Sequence, residues 1–183
     1  MRIIGGTAKG HTIKAPKGID TRPTLDRVRE SIFNVLSNRG IRGASVLDLF
    51  SGTGALAIES LSRGASSAVA VDMKTGKLIL ENATHCRVEK ELTIVPKKIS
   101  QVMPFIDNQQ FDYIFSDPPY EKGFIQSTID LVDGHDLLAP EGVLILEHHK
   151  DETFTVPDHW ESIKEQKFGY TLVSYYVKSR ERS

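Results

Sequence analysis

The sequence predicts an α/β fold: a mostly parallel, seven-stranded sheet with helices on both faces. Three observations support this fold class. From residue 45 onwards, short apolar runs alternate with segments of helical periodicity, as in strands joined by crossover helices. Near the C-terminus, two strand-like runs follow each other without a helix between them, which predicts a hairpin and an antiparallel edge. Before the first strand of the sheet, a basic segment is expected to add a small hairpin and one helix.

The basic N-terminal segment, residues 1–42, contains the first two predicted elements. Residues 2–4 and 11–14 flank a glycine-rich loop, which is the pattern of a hairpin. Thr24 is a favourable N-cap, and apolar residues recur after it at helical spacing. Gly40 is expected to end this helix shortly before the sheet begins.

The strands and helices of the sheet follow in order. Strands are predicted at residues 45–50, 68–72, 92–95, 111–116, 143–147, 160–168 and 171–178. Helices are predicted at residues 55–62, 74–86, 99–106 and 124–132. Residues 1–183 are expected to form a single domain, with residues 1–42 as a basic N-terminal extension.

The composition limits the classes of protein to which the chain can belong. Hydrophobic residues make up 39% and charged residues 26% of the sequence, as in soluble globular proteins. Cys86 is the only cysteine, which excludes an internal disulfide and a multi-cysteine metal site and fits a reducing cytosol. The adjacent His148 and His149 point apart in extended chain, so they make a poor metal pair and no metal is expected. No apolar run is long enough to span a bilayer, and we expect a cytoplasmic protein.

Charge is distributed unevenly along the chain. The formal net charge is -1, but residues 1–42 hold nine basic residues against three acidic ones, and the other residues hold 14 against 21. One interpretation is an N-terminal surface for a polyanion such as a nucleic acid, and the alternative is a solvated basic face. The nine basic residues are Arg2, Lys9, Lys14, Lys17, Arg22, Arg27, Arg29, Arg39 and Arg42.

The segment Asp117-Pro118-Pro119-Tyr120 is the most informative motif of the chain. It follows an apolar run that is typical of a buried strand, and two prolines cannot continue a central strand because neither donates to the ladder. The chain therefore leaves the sheet with an acid before the turn and an aromatic ring after it. Open α/β sheets bind ligands at that edge. A planar base with an exocyclic amine suits such a site, whereas a plain turn with Tyr120 capping the core is the alternative.

A glycine-rich loop, residues 48–54, lies between the first predicted strand of the sheet and its helix. Gly52 and Gly54 let a ligand approach the backbone, and the helix that follows directs its free N–H groups to the same place. The spacing also fits the loose dinucleotide pattern, so the glycines alone do not distinguish NAD from adenosylmethionine. Asp48 favours the second, because an acid here would repel a pyrophosphate but attract an ammonium group. A tight turn without a ligand is the alternative.

An acid also ends the second predicted strand of the sheet. Asp72 is in a position where a carboxylate can accept hydrogen bonds from both hydroxyls of a ribose. Met73 follows and can cover one face of an adenine. The alternative for Asp72 is an N-cap of the next helix.

Together these motifs resemble those of the class I adenosylmethionine-dependent methyltransferases, which have a Rossmann-like fold. The glycine loop resembles their first motif, Asp72 their ribose-binding acid, and residues 117–120 their [Asn/Asp]-Pro-Pro-Tyr motif for methylating a planar nitrogen. The resemblance implies S-adenosylmethionine as cofactor and S-adenosylhomocysteine as product. At the end of the third strand, where many relatives have Asp or Asn, backbone groups or Ser100 are expected to bind the adenine. The implied cofactor-binding residues are Asp48, Phe50, Gly52, Gly54, Asp72, Met73, Ile99 and Ser100.

Other segments narrow the resemblance to one family. Residues 2–6, 9–10 and 21–30 are similar to the N-terminal signature of the bacterial small-subunit (16S) ribosomal RNA guanine-N2 methyltransferases, and residues 61–65 and 168–171 to later segments. The resemblance implies methylation of a loop guanine in 16S ribosomal RNA, within the small ribosomal subunit or an assembly intermediate, by a monomer. The implied RNA contacts are Arg2, Lys9, Arg22, Arg27 and Arg29.

The expected mechanism is direct methyl transfer to the guanine amine. Asp117 and the Pro118 carbonyl are expected to accept the two amine hydrogens, and Tyr120 is expected to stack on the base. Glu147 either faces the same cleft or caps local N–H groups, and Tyr170, in the last hairpin turn, is expected to be structural. Two other functions stay open: DNA adenine-N6 methylation, which uses the same motif, and an inactive RNA-binding assembly factor that has kept the fold.

Overall fold

The computed structural model describes residues 1–17, 23–120 and 122–180. Its strands lie at Ser45–Asp48 (β1), Ser67–Val71 (β2), Leu92–Val95 (β3), Phe111–Ser116 (β4), Leu138–His149 (β5), Trp160–Phe168 (β6) and Thr171–Lys178 (β7). Its α-helices lie at Pro23–Arg39 (α1), Ala55–Ser62 (α2), Gly76–His85 (α3), Met103–Ile106 (α4) and Phe124–Gly134 (α5). Short 3-10 helices lie at Glu89–Glu91 and Ile99–Gln101.

The seven strands form one sheet in the order β3-β2-β1-β4-β5-β7-β6. Strands β1 to β5 pair in parallel, whereas β7 is antiparallel to both β5 and β6. This topology confirms the predicted α/β class, the mostly parallel sheet and its antiparallel C-terminal hairpin. Strands β2 and β3 lie on one side of β1, and β4 lies on the other side. The direction in which strands are added to the sheet therefore reverses between β1 and β4.

Apolar residues are buried in one layer on each face of the sheet. Successive strand residues alternate between the layers, with Val46 and Phe115 in one and Leu47 and Ile114 in the other. Because helices cover both faces, both sets of strand side chains are apolar, which explains the continuous apolar runs of the sequence. Among the helices of the described residues, none is long and apolar enough to cross a membrane.

A buried acid of α2 holds the N-terminal segment in place. Glu59 is completely buried, and its carboxylate accepts the backbone N–H groups of Ile4 at 2.8 Å and Gly5 at 2.9 Å. Two arginines neutralise it: Arg63 Nε lies 3.0 Å from Glu59 Oε2, and Arg29 Nε lies 3.7 Å from Glu59 Oε1. A buried carboxylate is tolerated when it is paired and hydrogen-bonded in this way, and here it joins the first residues to α1 and α2.

The end of α2 and the N-terminal loop are in direct backbone contact. Thr7 N–H donates to the Ser62 carbonyl at 2.8 Å, and Ala8 N–H donates to Ser62 Oγ at 2.9 Å. Gly6 has φ +80°, and a Cβ atom at this position would lie 1.8 Å from the Ser62 carbonyl oxygen. Only glycine fits this position. The contact joins residues 2–6 and 61–65, two of the segments that carry the family resemblance.

Two predicted elements of the N-terminal segment differ from the structure. Residues 2–4 and 11–14 form a shorter hairpin than expected: Arg2 and Thr12 make a single antiparallel bridge, and Ile3 N–H donates to the His11 carbonyl at 3.0 Å. The pairing ends there because the next N–H groups, those of Ile4 and Gly5, donate to the α2 carboxylate. Helix α1 begins at Pro23, so Thr24 lies within its first turn and is not its N-cap. Proline suits this position because its missing N–H has no acceptor within the first turn.

Boundaries elsewhere in the chain also differ. The helix predicted at residues 99–106 is divided into a 3-10 helix and α4, and Pro104 lies in the first turn of α4. Proline there cannot donate to the preceding turn, so a new helix begins in place of a continuous one. Helix α3 is shorter than predicted, and α5 ends two residues later. Strand β1 ends at Asp48, and β5 begins at Leu138, ahead of a register shift against β4.

Candidate functional site

The glycine loop and the Asp-Pro-Pro-Tyr segment leave the sheet side by side. Strands β1 and β4 are adjacent and parallel, and their register pairs Asp48 with Phe115. The Leu49 N–H donates to the Phe115 carbonyl at 3.0 Å, so the two strand ends stay together where the loop begins. The strand order reverses at this point, and ligands of open α/β sheets bind beyond the carboxyl ends of the strands there. The two motifs therefore share one edge of the sheet.

The loop after β1 exposes part of its backbone. Gly52 has φ +57° and Gly54 has φ +83°, conformations that favour glycine. A Cβ atom at Gly54 would lie 3.1 Å from Ile79 and 3.2 Å from Ile58, so this glycine also allows close packing against α2 and α3. A Cβ atom at Gly52 would meet nothing within 4 Å. The backbone at Gly52 is therefore accessible to a ligand.

Asp48, the last residue of β1, is completely buried. Ser51 Oγ donates to Asp48 Oδ2 at 2.8 Å, while Oδ1 has no hydrogen-bond partner within the described part of the chain. Burial raises the pKa of Asp48 to about 7. The hydrogen bond from Ser51 and the nearby backbone N–H of Ala57 oppose this shift, and a negative charge on Asp117 or Asp72 adds to it. A buried carboxyl oxygen without a partner suits a ligand that carries a positive charge or hydrogen-bond donors, such as an ammonium group.

Asp72, directly after β2, connects the glycine loop to the turn before α3. Its Oδ2 accepts the Gly52 N–H at 3.0 Å, and its Oδ1 accepts the N–H groups of Lys74 at 2.9 Å and Thr75 at 3.1 Å. The N-cap residue of α3 is Thr75, so Asp72 is not the N-cap. An ionised carboxylate offers about four acceptor positions, which leaves Asp72 with capacity for a further hydroxyl donor.

Asp117, directly after β4, forms a carboxyl pair with Glu147 of β5. Ser116 pairs with Leu146 in the strand register, so the two acids occupy the next position along the sheet. The register therefore places the two carboxyl groups side by side, close enough to share a hydrogen bond. Burial and the neighbouring charge of Glu147 raise the pKa of Asp117 well above its usual range, and burial raises the pKa of Glu147 to about 7. Of the two interpretations left open for Glu147, this contact supports the one in which it faces the cleft.

Tyr120 presents an oriented, partly exposed ring. Its side chain is 44% exposed, and its hydroxyl lies 2.8 Å from Thr171 Oγ1. The ring meets His149 edge to face, with centroids 5.8 Å apart, and His149 lies parallel to Tyr170 at 5.9 Å. The exposure of Tyr120 is unlike that of a ring that only caps the core. Tyr170, expected to be structural, is 70% exposed, and Lys150 Nζ lies 5.6 Å from the centroid of its ring.

The other residues expected to bind the cofactor lie on loops at the same edge of the sheet. Phe50 is half-buried, and its ring centroid lies 5.4 Å from that of Phe124. Met73 is 50% exposed directly after β2. Ile99 is buried and Ser100 is exposed in the 3-10 helix that follows β3. Since β1, β2 and β3 are parallel neighbours, these loops all follow carboxyl ends of strands.

The five basic residues expected to contact RNA differ in their surroundings. Arg2, Lys9 and Arg27 are exposed, and Arg22 lies outside the described residues. Arg29 is only 5% exposed, and its guanidinium donates to the Arg2 carbonyl and pairs with the buried carboxylate of α2. Burial lowers the pKa of Arg29, while that carboxylate opposes the shift. The structure therefore makes Arg29 an internal anchor of the N-terminal segment rather than a surface contact for RNA.

Two buried polar residues that the sequence analysis did not single out position the site. Asn82 of α3 donates to the carbonyls of Thr53 and Lys14, both at 2.9 Å, and accepts the Lys14 N–H at 2.8 Å. It joins the glycine loop to the N-terminal segment, while Glu59 joins that segment to α2. Each is a polar residue at a core-facing position of an amphipathic or apolar helix, which is the sequence signal that would have indicated them.

Comparison with known proteins identifies the family. Residues 1–177 match the family described as "Conserved hypothetical protein 95". The ribosomal RNA small subunit methyltransferase D of Escherichia coli K12 is 32% identical over 99% of this chain and 90% of its own length. The chain belongs to the ribosomal RNA small subunit methyltransferase D family. Its relative from Haemophilus influenzae is 30% identical over 96% of this chain and 91% of its own length.

Solved structures agree with membership of the methyltransferase D family. The yhhF protein of Escherichia coli has a TM-score of 0.86 at 32% identity, with 98% of both chains covered. A protein of Thermus thermophilus has a TM-score of 0.80 at 25% identity, with 97% of this chain and 99% of that chain covered. The ribosomal protein L11 methylase of Lactobacillus delbrueckii, at 16% identity and a TM-score of 0.73, shares the fold over 94% of this chain and 88% of its own. The fold is the Rossmann-like class I methyltransferase fold.

Proposed function

We propose that the protein transfers a methyl group from S-adenosylmethionine to the exocyclic N2 of a loop guanine in 16S ribosomal RNA. The observation that carries the proposal is the position of the glycine loop and the Asp-Pro-Pro-Tyr segment at the ends of the adjacent strands β1 and β4. A methyl donor bound by the first and a base bound by the second would face each other across one cleft, as direct transfer requires. The names of the relatives give small-subunit ribosomal RNA as the substrate class.

The residues at the edge of the sheet fit S-adenosylmethionine. The unpartnered oxygen of Asp48 suits the ammonium group, and the accessible backbone at Gly52 allows close approach. Asp72 has acceptor capacity for the ribose, and the exposed Met73 can cover the adenine. We assign the adenine edge to backbone groups or the hydroxyl at Ser100. When bound, the cofactor supplies an electrophilic methyl group on a positively charged sulfur.

The Asp-Pro-Pro-Tyr segment suits a purine with an exocyclic amine. The lone pair of guanine N2 is delocalised into the ring, so the amine is a poor nucleophile. Asp117 and the Pro118 carbonyl would accept its two hydrogens and turn its lone pair towards the methyl group. Alignment of this kind contributes roughly 7–11 kcal/mol in favourable cases, and one well-placed polar contact about 3 kcal/mol. Stacking on Tyr120 would add about 1–3 kcal/mol for the base.

Exposed basic residues provide contacts for the RNA backbone. Arg27 of α1 lines a cavity of about 330 Å³ together with Lys167, Phe168 and Gly169 of the C-terminal hairpin. Two cationic side chains around a concave surface suit a phosphate group. We assign Arg2 and Lys9 to the same RNA surface because both are exposed in the basic N-terminal segment. A ribosomal substrate would place the protein, which we propose acts as a monomer, in the cytoplasm.

The test of substrate identity is a labelled-methyl transfer assay. Unmethylated small subunits, naked 16S ribosomal RNA and DNA are each incubated with the protein and labelled S-adenosylmethionine, and the modified nucleotide is mapped. We expect label on N2 of a single guanine of the ribosomal RNA. Label on adenine N6 of DNA would instead establish the alternative enzyme, and no label on any substrate would favour an inactive RNA-binding factor.

Asp117→Ala tests the role of the Pro-Pro segment. We expect turnover to fall by at least about a hundredfold, because the substitution removes the acceptor that orients the amine. Cofactor affinity, measured by calorimetry, should stay near the wild-type value because Asp117 is assigned to the base. Asp158→Ala, at an exposed acid ahead of β6, is the matched control. An Asp117→Ala variant with near wild-type turnover on ribosomal substrate would contradict the proposed role.

A further inference from the structure

We propose that Glu147 is the proton acceptor of this reaction: it receives, through the carboxyl group of Asp117, the proton that guanine N2 loses on methylation. The inference deepens the proposed function and rests on it. Asp117 is the residue that contacts the base, and Glu147 acts through Asp117 without touching the substrate. The argument depends on the arrangement of three acids at the ends of three neighbouring strands.

Asp48 ends β1, Asp117 directly follows β4, and Glu147 lies two residues before the end of β5; these three strands are consecutive in the sheet. Asp117 is in the middle, with Asp48 on the neighbouring strand on one side and Glu147 on the other, and the charge of Glu147 raises the pKa of Asp117. Of three acids in a row, the middle one is the least favourable to ionise because it has a like charge on both sides. We therefore assign the proton that the two carboxyl groups share to Asp117, whose hydroxyl then donates to the Glu147 carboxylate.

The buried surroundings of Glu147 suit a proton acceptor that works near neutral pH. Its side chain is 7% exposed, and burial raises its pKa to about 7, close to the value at which a general base is most effective. The next residue of β5, His148, is turned away from the cleft, with Nε2 2.9 Å from Ser174 Oγ. The pair titrates as a unit, and under the proposal the first proton leaves from Glu147.

Other ionisable groups reach the carboxyl pair from neighbouring elements. Tyr120, in the loop after β4, interacts with both acids of the pair, and Glu152, in the loop after β5, interacts with Tyr120. Tyr175 of β7 interacts with Glu147. These groups are phenols and an acid, so they add no positive charge, and they favour the retention of one proton by the pair. His149, edge to face with Tyr120, is the basic side chain next to this set.

The proposed step balances in atoms and electrons. The N2 lone pair forms the new C–N bond, and the electrons of the broken C–S bond remain on sulfur. The proton that N2 loses moves to the free oxygen of Asp117, while the original proton of Asp117 moves to Glu147. Asp117 is thus protonated before and after the step, and Glu147 ends neutral. Glu147 then releases its proton to solvent before the next turnover, once the base has left the cleft.

Glu147→Gln separates proton acceptance from structure. Glutamine has nearly the same shape and its amide oxygen can accept the hydrogen bond from Asp117, but it cannot take the proton. We expect turnover to fall by about a hundredfold, the lower end of what general acid–base catalysis contributes, with cofactor affinity and thermal unfolding close to wild type. Glu147→Asp, which restores a carboxylate, should recover part of the loss. Glu161→Gln, at an exposed acid of β6, is the matched control.

The pH profile distinguishes this role from a structural one. At saturating cofactor, where ionisation of the cofactor-binding Asp48 does not limit the rate, the wild-type rate should rise with pH through about 7 as Glu147 ionises, and the Glu147→Gln variant should lack this rise. A Glu147→Gln variant with near wild-type turnover would overturn the proposal, because hydrogen bonding alone would then suffice. An unchanged pH profile in that variant would overturn it as well.

A second measurement does not depend on methyl transfer. Carbon-13 NMR of the carboxyl carbons, assigned with the Glu147→Gln and Asp117→Asn variants, reports the order in which the two acids ionise. We expect Glu147 to ionise first and Asp117 to stay protonated to higher pH. The reverse order, or two acids that ionise like exposed ones, would overturn the proton relay. If the wild-type protein labels no RNA, the proposed function fails instead, and the NMR titration still decides which acid holds the proton.

Discussion

Asp48→Asn is expected to stabilise the protein at alkaline pH more than at acidic pH. The Asp48 carboxyl is completely buried, with one oxygen bonded to Ser51 and the other without a partner among the residues that the structure describes. Burial raises its pKa from 3.8 to about 7. The folded protein therefore binds this proton more tightly than the unfolded chain does, and the free energy of unfolding falls as pH rises between the two values.

The size of the effect follows from these two pKa values. At a pH well above both pKa values, ionised Asp48 lowers the free energy of unfolding by about 4 kcal/mol. At about pH 5 the free energy of unfolding is lowered by about 2 kcal/mol. Asparagine is neutral at either pH, and any penalty from its own unpartnered amide is the same at both. The stabilisation by Asp48→Asn should therefore be about 2–3 kcal/mol larger at about pH 8 than at about pH 5.

Urea unfolding followed by circular dichroism, between about pH 5 and pH 8, measures this difference. The wild type and Asp48→Asn are compared with Asp158→Asn, in which an exposed acid is replaced. The control should follow the wild-type pH dependence. If Asp48→Asn also follows it, Asp48 does not hold a proton in this range, and the reasoning about its burial is refuted.

Two further substitutions test the N-terminal anchor and the ribose site. Gly6→Ala should lower the free energy of unfolding by more than about 2 kcal/mol, because its Cβ would lie 1.8 Å from the Ser62 carbonyl oxygen. Gly10 has a similar φ but open space around it, so Gly10→Ala is the control that shows the effect of backbone conformation without the steric clash. If urea denaturation gives the same loss of stability for both variants, the close contact at Gly6 is contradicted. Asp72→Ala should weaken S-adenosylmethionine binding about tenfold or more in calorimetry, since Gly52 and the ribose both lose an acceptor. Unchanged affinity would remove Asp72 from the cofactor site.

The strands could be predicted from the sequence more closely than the helices and the N-terminal segment. Strands β4, β6 and β7 begin and end at the predicted residues, because Pro118 and Gly169 are local signals that end or turn a strand. The short extent of the N-terminal hairpin could not be predicted from local signals. The N–H groups of Ile4 and Gly5 donate to Glu59, which lies more than 50 residues away in the sequence.

The candidate site shows the same division between local and distant contacts. The glycine loop and the Asp-Pro-Pro-Tyr segment are continuous motifs, so their residues could be named from the sequence. The pair of Asp117 and Glu147 depends on the register of β4 against β5, which sequence patterns do not give. In the sequence, Arg29 is one of several basic residues on a predicted helix. Only the tertiary contact with Glu59 shows that its side chain is buried.

The acids of the cleft explain why this site suits a positively charged donor. Burial raises the pKa of Asp48, Asp117 and Glu147, so each lowers the stability of the empty protein at a pH where it ionises. Their like charges, on consecutive strands, also oppose one another. A bound cation reduces both penalties. The ammonium group assigned to Asp48 stays in the product, but the part of the reduction that comes from the sulfur is lost when the methyl group leaves. Under the proposed function, the sulfur is positively charged in the cofactor and neutral in the product. The cleft therefore favours the donor over the product, which is the direction that repeated turnover requires.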